Sequence, residues 1–248
     1  MSTPRQQQLQ RFWRRTRRYR PATVTGAIIA VTVAVYALES ALLLAARYET
    51  NPVVSALAYA PVASTGGSFQ PWRALTAALV HAPIGPGAGI IGVTHILFNM
   101  YALYLLGRPL ESLFGGVRLL VLYLLSVLGG SVAVLYVAFA LPETFFTPVI
   151  GASGGVFGLF AATFVAQRRL GGDVRPVLLV IAVNLGITFV LPNIAWQAHL
   201  GGLVAGALAG WILIANRGPR RNARQAVLLG VLAAVLVVLL VLPRFVVF

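Results

Sequence analysis

Ser153 lies in the run Gly151-Ala152-Ser153-Gly154-Gly155, and His199 in Ala198-His199-Leu200-Gly201-Gly202. His95 and Asn99 stand four residues apart in His95-Ile96-Leu97-Phe98-Asn99. A serine hydroxyl is a weak nucleophile until a base takes its proton, and an imidazole that titrates near neutrality is the usual base. Ser153 and His199 supply that pair. The oxyanion formed by attack on an acyl carbon needs donors aimed at it. The backbone N–H of Ser153 near a helix start is one, and His95 and Asn99, which share a helix face at i, i+4, supply others. Acyl transfer is the chemistry such a set would perform.

Other chemistries fail on the same residues. The chain has no Cys, three His and one Asp, so thiolate nucleophiles, disulfides and most metal-ligand sets are out of reach, and neither a metal nor a cofactor is expected. Gly151 to Gly155 matches G-x-S-x-G, but the nucleophile elbow of soluble hydrolases needs a preceding strand and a later acid and His in a soluble sheet. Gly171-Gly172-Asp173 falls short of an intramembrane aspartyl site, because position 170 is Leu and there is no second Asp to share a proton. No H-E-x-x-H exists for a zinc protease. Glu39, Glu49 and Glu143 are expected to be solvated or locally bonded, and His81 to be a hydrogen-bonding residue of a loop.

The elements that must position these groups follow from composition. Of 248 residues, 59% are hydrophobic and 10% charged, and the net charge of +14 comes from nineteen Arg, no Lys and five acids. Soluble domains carry about 25% charge, so an all-α polytopic membrane protein is the class that fits. The Arg residues fall in short clusters between apolar runs rather than along one basic face, so no nucleic-acid partner is expected. The bilayer itself is the expected surrounding. Seven apolar stretches stand out, at 24–46, 93–114, 117–141, 151–167, 176–192, 195–215 and 226–242. At about 1.5 Å per residue even the shortest covers most of a hydrocarbon layer of ~30 Å.

Loops rich in Arg stay cytoplasmic, and an N-terminus inside puts sixteen of the nineteen Arg on that side, leaving Arg47, Arg73 and Arg244 outside. Spans two, four and six then run inward from the outer face. Ser153 lies about two residues into span four, His199 about four into span six and His95 about two into span two, so all three sit at similar shallow depth. A lone Ser at a membrane helix end is more often a backbone-bonding residue than a nucleophile. Two His and an Asn at matched depth on three spans point to a site instead, since polar groups in spans are costly unless they act.

Gly202, Gly206 and Gly210 recur every four residues, a small-residue stripe that lets another helix come close, and Gly154, Gly155 and Gly158 offer the complementary surface. The connection from Arg47 to Gly92 is long enough to carry structure of its own, and its Pro residues and apolar patches read as short, partly buried, membrane-associated helices on the outer side. The basic, acid-free stretch before residue 22 resembles a transit peptide in composition but is read as a cytoplasmic positive-inside anchor. The organisation expected is a basic segment at 1–22, a six-span core at 23–215 with its outer loop at 47–92, and a basic loop with a seventh span at 216–248.

Together these residues resemble the rhomboid family of intramembrane serine proteases over about Trp72 to Gly210. The resemblance is carried by Trp72-Arg73, His95-Ile96-Leu97-Phe98-Asn99-Met100, Leu110-Glu111 with Gly115, Gly151-Ala152-Ser153-Gly154, and Ala198-His199 with Gly202 and Gly206. It implies a Ser–His dyad with Ser153 as nucleophile and His199 as general base and then acid. It also implies an oxyanion site from the Ser153 N–H, His95 and Asn99. An aromatic four residues after the serine, here Phe157, is implied to pack on the imidazole, without the hydroxyl that a tyrosine brings. Implied substrates are transmembrane segments of other proteins, with small residues and helix-destabilising sequence near the outer face. The stretch from His81 to His95 is longer than in compact bacterial members. A span added after the core rather than before it favours a prokaryotic plasma membrane over a mitochondrion. A non-catalytic rhomboid-like protein that binds membrane clients is the alternative; its mark would be loss of the serine or histidine, and both are present. A transporter or channel would want ionisable midplane groups or paired broken helices, and no such pairing is read. Oligomeric state is not legible.

Overall fold

The computed structural model describes residues 23–46, 51–65, 69–84, 89–190, 194–218 and 221–246. The segment 1–22 and the residues Arg47 and Glu49 lie outside them. Seven long helices occupy the seven apolar stretches: α1 (Thr23–Ala46), α5 (Gly89–Phe114), α6 (Gly116–Ala140), α7 (Ser153–Leu170), α8 (Arg175–Val190), α9 (Trp196–Ala215) and α10 (Asn222–Val241). Three short helices, α2 (Pro52–Leu57), α3 (Val62–Thr65) and α4 (Arg73–Thr76), fall within the 47–92 connection, and α11 (Pro243–Val246) follows α10. Among the described residues there is no β-sheet, only one isolated antiparallel bridge between Tyr59 and Val149.

Among the described residues, four helical segments are long and apolar enough to cross a bilayer: Thr23–Ala45, Gly116–Ala140, Trp196–Ala215 and Asn222–Phe245. The other three long helices are less apolar or shorter. Residues with chemistry dilute α5 (His95, Asn99, Arg108, Glu111) and α7 (Gln167, Arg168, Arg169), and α8 has only sixteen residues.

The core is a bundle in which α9 packs closely against both α7 and α6. Leu119, Leu122 and Leu135 of α6, Leu159 of α7 and Leu213 of α9 are all buried within it. The α7–α9 contact is backbone on backbone. A Cβ on Gly206 would collide with the Gly158 backbone, and one on Gly210 would come within 2.8 Å of Ala162 Cα. Without a hydrophobic force between helices in lipid, such close approach of small residues is a main source of association.

Polar groups fasten the periphery. The Glu111 carboxylate of α5 accepts the Val24 and Thr25 backbone N–H groups at 2.9 Å and the Thr25 hydroxyl at 2.6 Å, so an acid from one helix caps the first turn of α1. Arg118 of α6 donates to Asn222 at 3.1 Å and to Gln225, and Gln225 donates to the Leu213 carbonyl of α9 at 3.1 Å, which docks the near end of α10. At the far end, the Arg244 guanidinium lies 4.4 Å from the Phe69 ring centroid.

The long connection is built largely around its own polar groups. Asn51 caps α2 through its Oδ1, accepting from Val53 and Val54 N–H, and donates to the Glu39 carbonyl at 2.8 Å. Arg73 donates to Gln70 Oε1 at 2.6 Å, and to the Ser55 and Ala58 carbonyls at 2.6 and 3.2 Å, tying α4 to α2. Ser131 of α6 donates to the Ala74 carbonyl at 2.7 Å, which seats this layer on the bundle.

Candidate active site

Ser153 is the first residue of α7, and the chain that delivers it is held from two sides. Tyr59 and Val149 exchange backbone hydrogen bonds at 3.1 and 2.6 Å, and Gly151 N–H donates to the Ala77 carbonyl at 2.9 Å. An extended stretch, a turn at Ala152 and a helix start thus follow one another, held by backbone bonds to Tyr59 and Ala77. Gly151 has φ +115°, a conformation L side chains rarely adopt, and a Cβ there would lie 3.0 Å from the His95 imidazole and 3.9 Å from Ser153 Oγ. This brings the His95 ring and the serine hydroxyl together beside the Cα of one glycine.

His199 stands four residues into α9, where it is 6% exposed. Its Nε2 lies 2.8 Å from Ser153 Oγ. The Phe157 ring, one turn beyond Ser153 on α7, stacks on the imidazole with centroids 4.1 Å apart and an interplanar angle of 14°. The Thr188 hydroxyl of α8 lies 2.9 Å from His199 Nδ1. The imidazole is therefore fixed at both nitrogens and on one face.

The approach of α7 and α9 sets the separation of the pair. Gly154 follows Ser153 directly and Gly202 comes three residues after His199, and a Cβ on Gly202 would overlap the Gly154 backbone. Gly155 serves a different neighbour: a Cβ there would meet the Tyr123 ring of α6.

Asn99 is buried on α5 and donates from Nδ2 to the His95 carbonyl at 2.9 Å, which spends one amide hydrogen and leaves a second. The first turn of α7 leaves backbone N–H groups without intrahelical partners next to Ser153. The arrangement can pass a serine proton to an imidazole and offers amide, imidazole and backbone groups nearby, a chemistry of acyl transfer. Among the described residues, no group of three or more His, Asp or Glu could hold a metal ion.

Three residues around the site go beyond the sequence reading. His81 is fully buried, its ring 5.1 Å from that of His95, and its Nε2 accepts the Ala152 N–H at 3.4 Å. It thus braces the turn before Ser153 rather than serving the loop alone. Burial, followed by the neighbouring His95, pulls its pKa down to about 3. Glu39, expected to be solvated or locally bonded, is fully buried and accepts the His81 N–H at 3.2 Å. Glu143 is exposed, as expected. Thr188 carries no signal in the sequence, because a threonine in an apolar helix has no spacing that ties it to a histidine on another.

A family model of the Rhomboid domain matches residues 68–216, more than half of the chain. The chain belongs to the rhomboid family. It is 34% identical over 146 residues to Rhomboid protease GluP of Bacillus subtilis (strain 168), a match covering 56% of this chain and 25% of that protein. It is 34% identical over 151 residues to RHOMBOID-like protein 4 of Arabidopsis thaliana, covering 58% of this chain and 34% of that one. Identity to YdcA of B. subtilis is 30% over 154 residues, covering 60% and 70%. The match thus spans a quarter to a third of the first two relatives. With its apolar helices, this rhomboid is an integral membrane protein, and the matched region contains His81, His95, Asn99, Ser153, Phe157, Thr188 and His199 but none of α1, and so not Glu39.

Proposed function

We propose that this rhomboid is an intramembrane serine endopeptidase that hydrolyses peptide bonds in or beside transmembrane segments of other membrane proteins. The 2.8 Å contact between His199 Nε2 and Ser153 Oγ, beneath the stacked Phe157 ring, carries the reading. His199 Nε2 takes the Ser153 hydroxyl proton as Oγ bonds to the scissile carbonyl carbon. The oxyanion is met by the Ser153 N–H with His95 and Asn99. The same proton then passes from Nε2 to the departing amine nitrogen as the C–N bond breaks, leaving an ester on Ser153. Water attacks that ester, gives its proton to Nε2, and the acid product leaves as Oγ is reprotonated. These steps call on no metal and no cofactor.

A peptide bond within a helix is hydrogen-bonded and shielded, so the substrate segment must unwind before Oγ reaches it. In this reading the seven long helices all span the bilayer. Residues 23–215 form the protease core and 216–248 an appended loop and span. The N-terminus is cytoplasmic, the C-terminus external, the site near the outer face, and the membrane a prokaryotic plasma membrane. The alternative, a non-catalytic rhomboid-like client-binding protein, shares the fold and differs in turnover. Purified protein incubated with a panel of single-span substrates, wild type against Ser153→Ala, tests the two. Cleavage by wild type alone supports the protease, and equal binding with no cleavage by either supports the alternative.

A further inference from the structure

Three contacts converge on His199, and one of them comes from a helix that otherwise faces outward. Of the sixteen residues of α8 only Val177 and Thr188 are buried. Thr188 lies in the last turn, and among the described residues it makes the side-chain hydrogen bond that joins α8 to another helix, at 2.9 Å from His199 Nδ1. The same hydroxyl oxygen is 2.9 Å from the Asn184 carbonyl, one turn back on α8.

We propose that Thr188 is a positioning residue that selects the Nδ1–H tautomer of His199, and so keeps the Nε2 lone pair facing Ser153. This rests on the protease reading above, and it follows from counting protons. A neutral imidazole carries one N–H, and a threonine or serine hydroxyl carries one O–H. Three contacts need a proton: Thr188 Oγ1 to Asn184 O, His199 Nδ1 to Thr188 Oγ1, and Ser153 Oγ to His199 Nε2. Three protons are present, and one arrangement fills all three contacts. Thr188 donates to the Asn184 carbonyl, Nδ1–H donates to Thr188, and the Ser153 hydroxyl donates to Nε2. In the reverse arrangement Thr188 donates to Nδ1 and Nε2–H points at the serine, which cannot then give up its proton to that nitrogen. That state also leaves the Asn184 contact without a proton, a loss of one part-buried hydrogen bond.

A second effect has the same sign. Thr188 sits in the C-terminal turn of α8, where the carbonyl ends of the helix dipole are exposed, and a positive charge nearby is favoured. When Nε2 takes the serine proton, the imidazolium formed keeps its Nδ1–H on Thr188 beside that negative end. The residue thus supplies, from a hydroxyl and its back-bond, the orienting role that a buried carboxylate plays in a triad, where loss of the correct tautomer alone costs about 10⁴ in kcat. A neutral acceptor is weaker than a carboxylate, so a smaller loss is expected.

The test compares Thr188→Val, which keeps the shape and removes the hydroxyl, with Thr188→Ser, which keeps the hydroxyl. Cleavage of a single-span substrate is measured with the purified full chain. The Val variant is expected to lose about 10- to 100-fold in kcat with KM within about twofold, and the Ser variant to stay within about threefold of wild type. Nitrogen-15 NMR of ring-labelled histidine, with His199 assigned by its loss in His199→Gln, reads the tautomer without any turnover. Wild type should show a protonated Nδ1 and an unprotonated Nε2, and the Val variant a mixture. Unchanged kcat in Thr188→Val, or a protonated Nε2 in wild type, overturns the proposal. So does equal damage in Val and Ser together with a lowered melting temperature, which is the pattern of a packing residue. Cleavage retained by Ser153→Ala would instead sink the protease reading, and the NMR result would still decide the role of Thr188.

Discussion

Gly202 of α9 rests on the backbone of Gly154 of α7 so closely that a Cβ on Gly202 would lie inside it. One of these glycines is next to Ser153 and the other is three residues from His199, so the spacing of two helix backbones is also the spacing of Ser153 and His199. Gly202→Ala is therefore expected to push the helices apart, at an overpacking cost of about 1–3 kcal/mol, and to reduce turnover by more than its fall in melting temperature accounts for. Gly230→Ala on α10 is the control, because nothing lies within 4 Å of a Cβ there. Thermal unfolding and cleavage rates on both variants check this; a Gly202→Ala protein as active as wild type would show that the close approach does not set the site.

Ser153→Ala and His199→Ala should each abolish cleavage with expression and helicity unchanged. The two groups act as one unit, so the double variant should be no worse than either single one. A fluorophosphonate should label Ser153 in wild type and lose that label in His199→Ala, and EDTA should leave activity unaltered. Near-wild-type turnover in either single variant would remove the dyad.

How far the sequence discloses this arrangement can be followed residue by residue. The long helices are legible because each apolar run is bounded by Arg, Pro, Gly or a polar group, which end helices or stay out of lipid, and the i, i+4 glycines of α9 announce a close partner without naming it. Their partners, Gly154, Gly158 and Ala162, are fixed only by the register of α7 against α9. Less is legible where the arrangement rests on single tertiary contacts. Nothing in the spacing of Tyr59 and Val149 signals that they pair to deliver Ser153, and Thr188 lies on an element whose side chains otherwise read as lipid-facing. The chain around Glu39 and His81 misleads for a related reason. An acid near the end of a span is commonly solvated, and a loop histidine commonly bonds within its loop, but here the loop folds back, buries both and brings the His81 ring to the Ala152 N–H.

His81 gives the stability of the protein a pH dependence of definite sign. Its pKa falls from the ordinary 6.5 to about 3 in the folded chain because burial, and then His95, disfavour its charged form. The unfolded state therefore binds this proton first, and the contribution of His81 is intact above about pH 6.5 and is lost progressively as pH falls towards 3. His81→Gln removes the titration and keeps a side-chain acceptor for the Ala152 N–H. The melting temperature of wild type should fall more steeply than that of His81→Gln between pH 6.5 and 4. Parallel curves would mean that the ring protonates freely in the fold.

Topology can be read by fusions. A reporter placed after Arg224 should be cytoplasmic and one after Phe248 external, since the Arg-rich loops all favour one side. An external signal at Arg224 would invert the orientation and move the site to the inner face.

Asn99 separates an oxyanion donor from a packing residue. One of its amide hydrogens is spent on the His95 carbonyl and the other is available. If that second hydrogen polarises the oxyanion, Asn99→Ala should lower kcat by about 10²–10³-fold, the cost of losing one such donor, with little change in melting temperature. If Asn99 only bridges helices, the pattern reverses: an interhelical polar contact in a membrane averages about 0.6 kcal/mol of stability and need not touch turnover. Asn99→Asp keeps the shape but sets an acceptor against the developing charge, so it should harm kcat at least as much as Ala does. His95→Ala should show a milder loss in the same direction, because the Ser153 N–H and Asn99 remain. The four-residue offset on α5 makes the comparison fair, since both side chains leave the same face of one helix. Unchanged kcat with a lowered melting temperature in Asn99→Ala would take the oxyanion role from this residue and leave the Ser153–His199 pair standing.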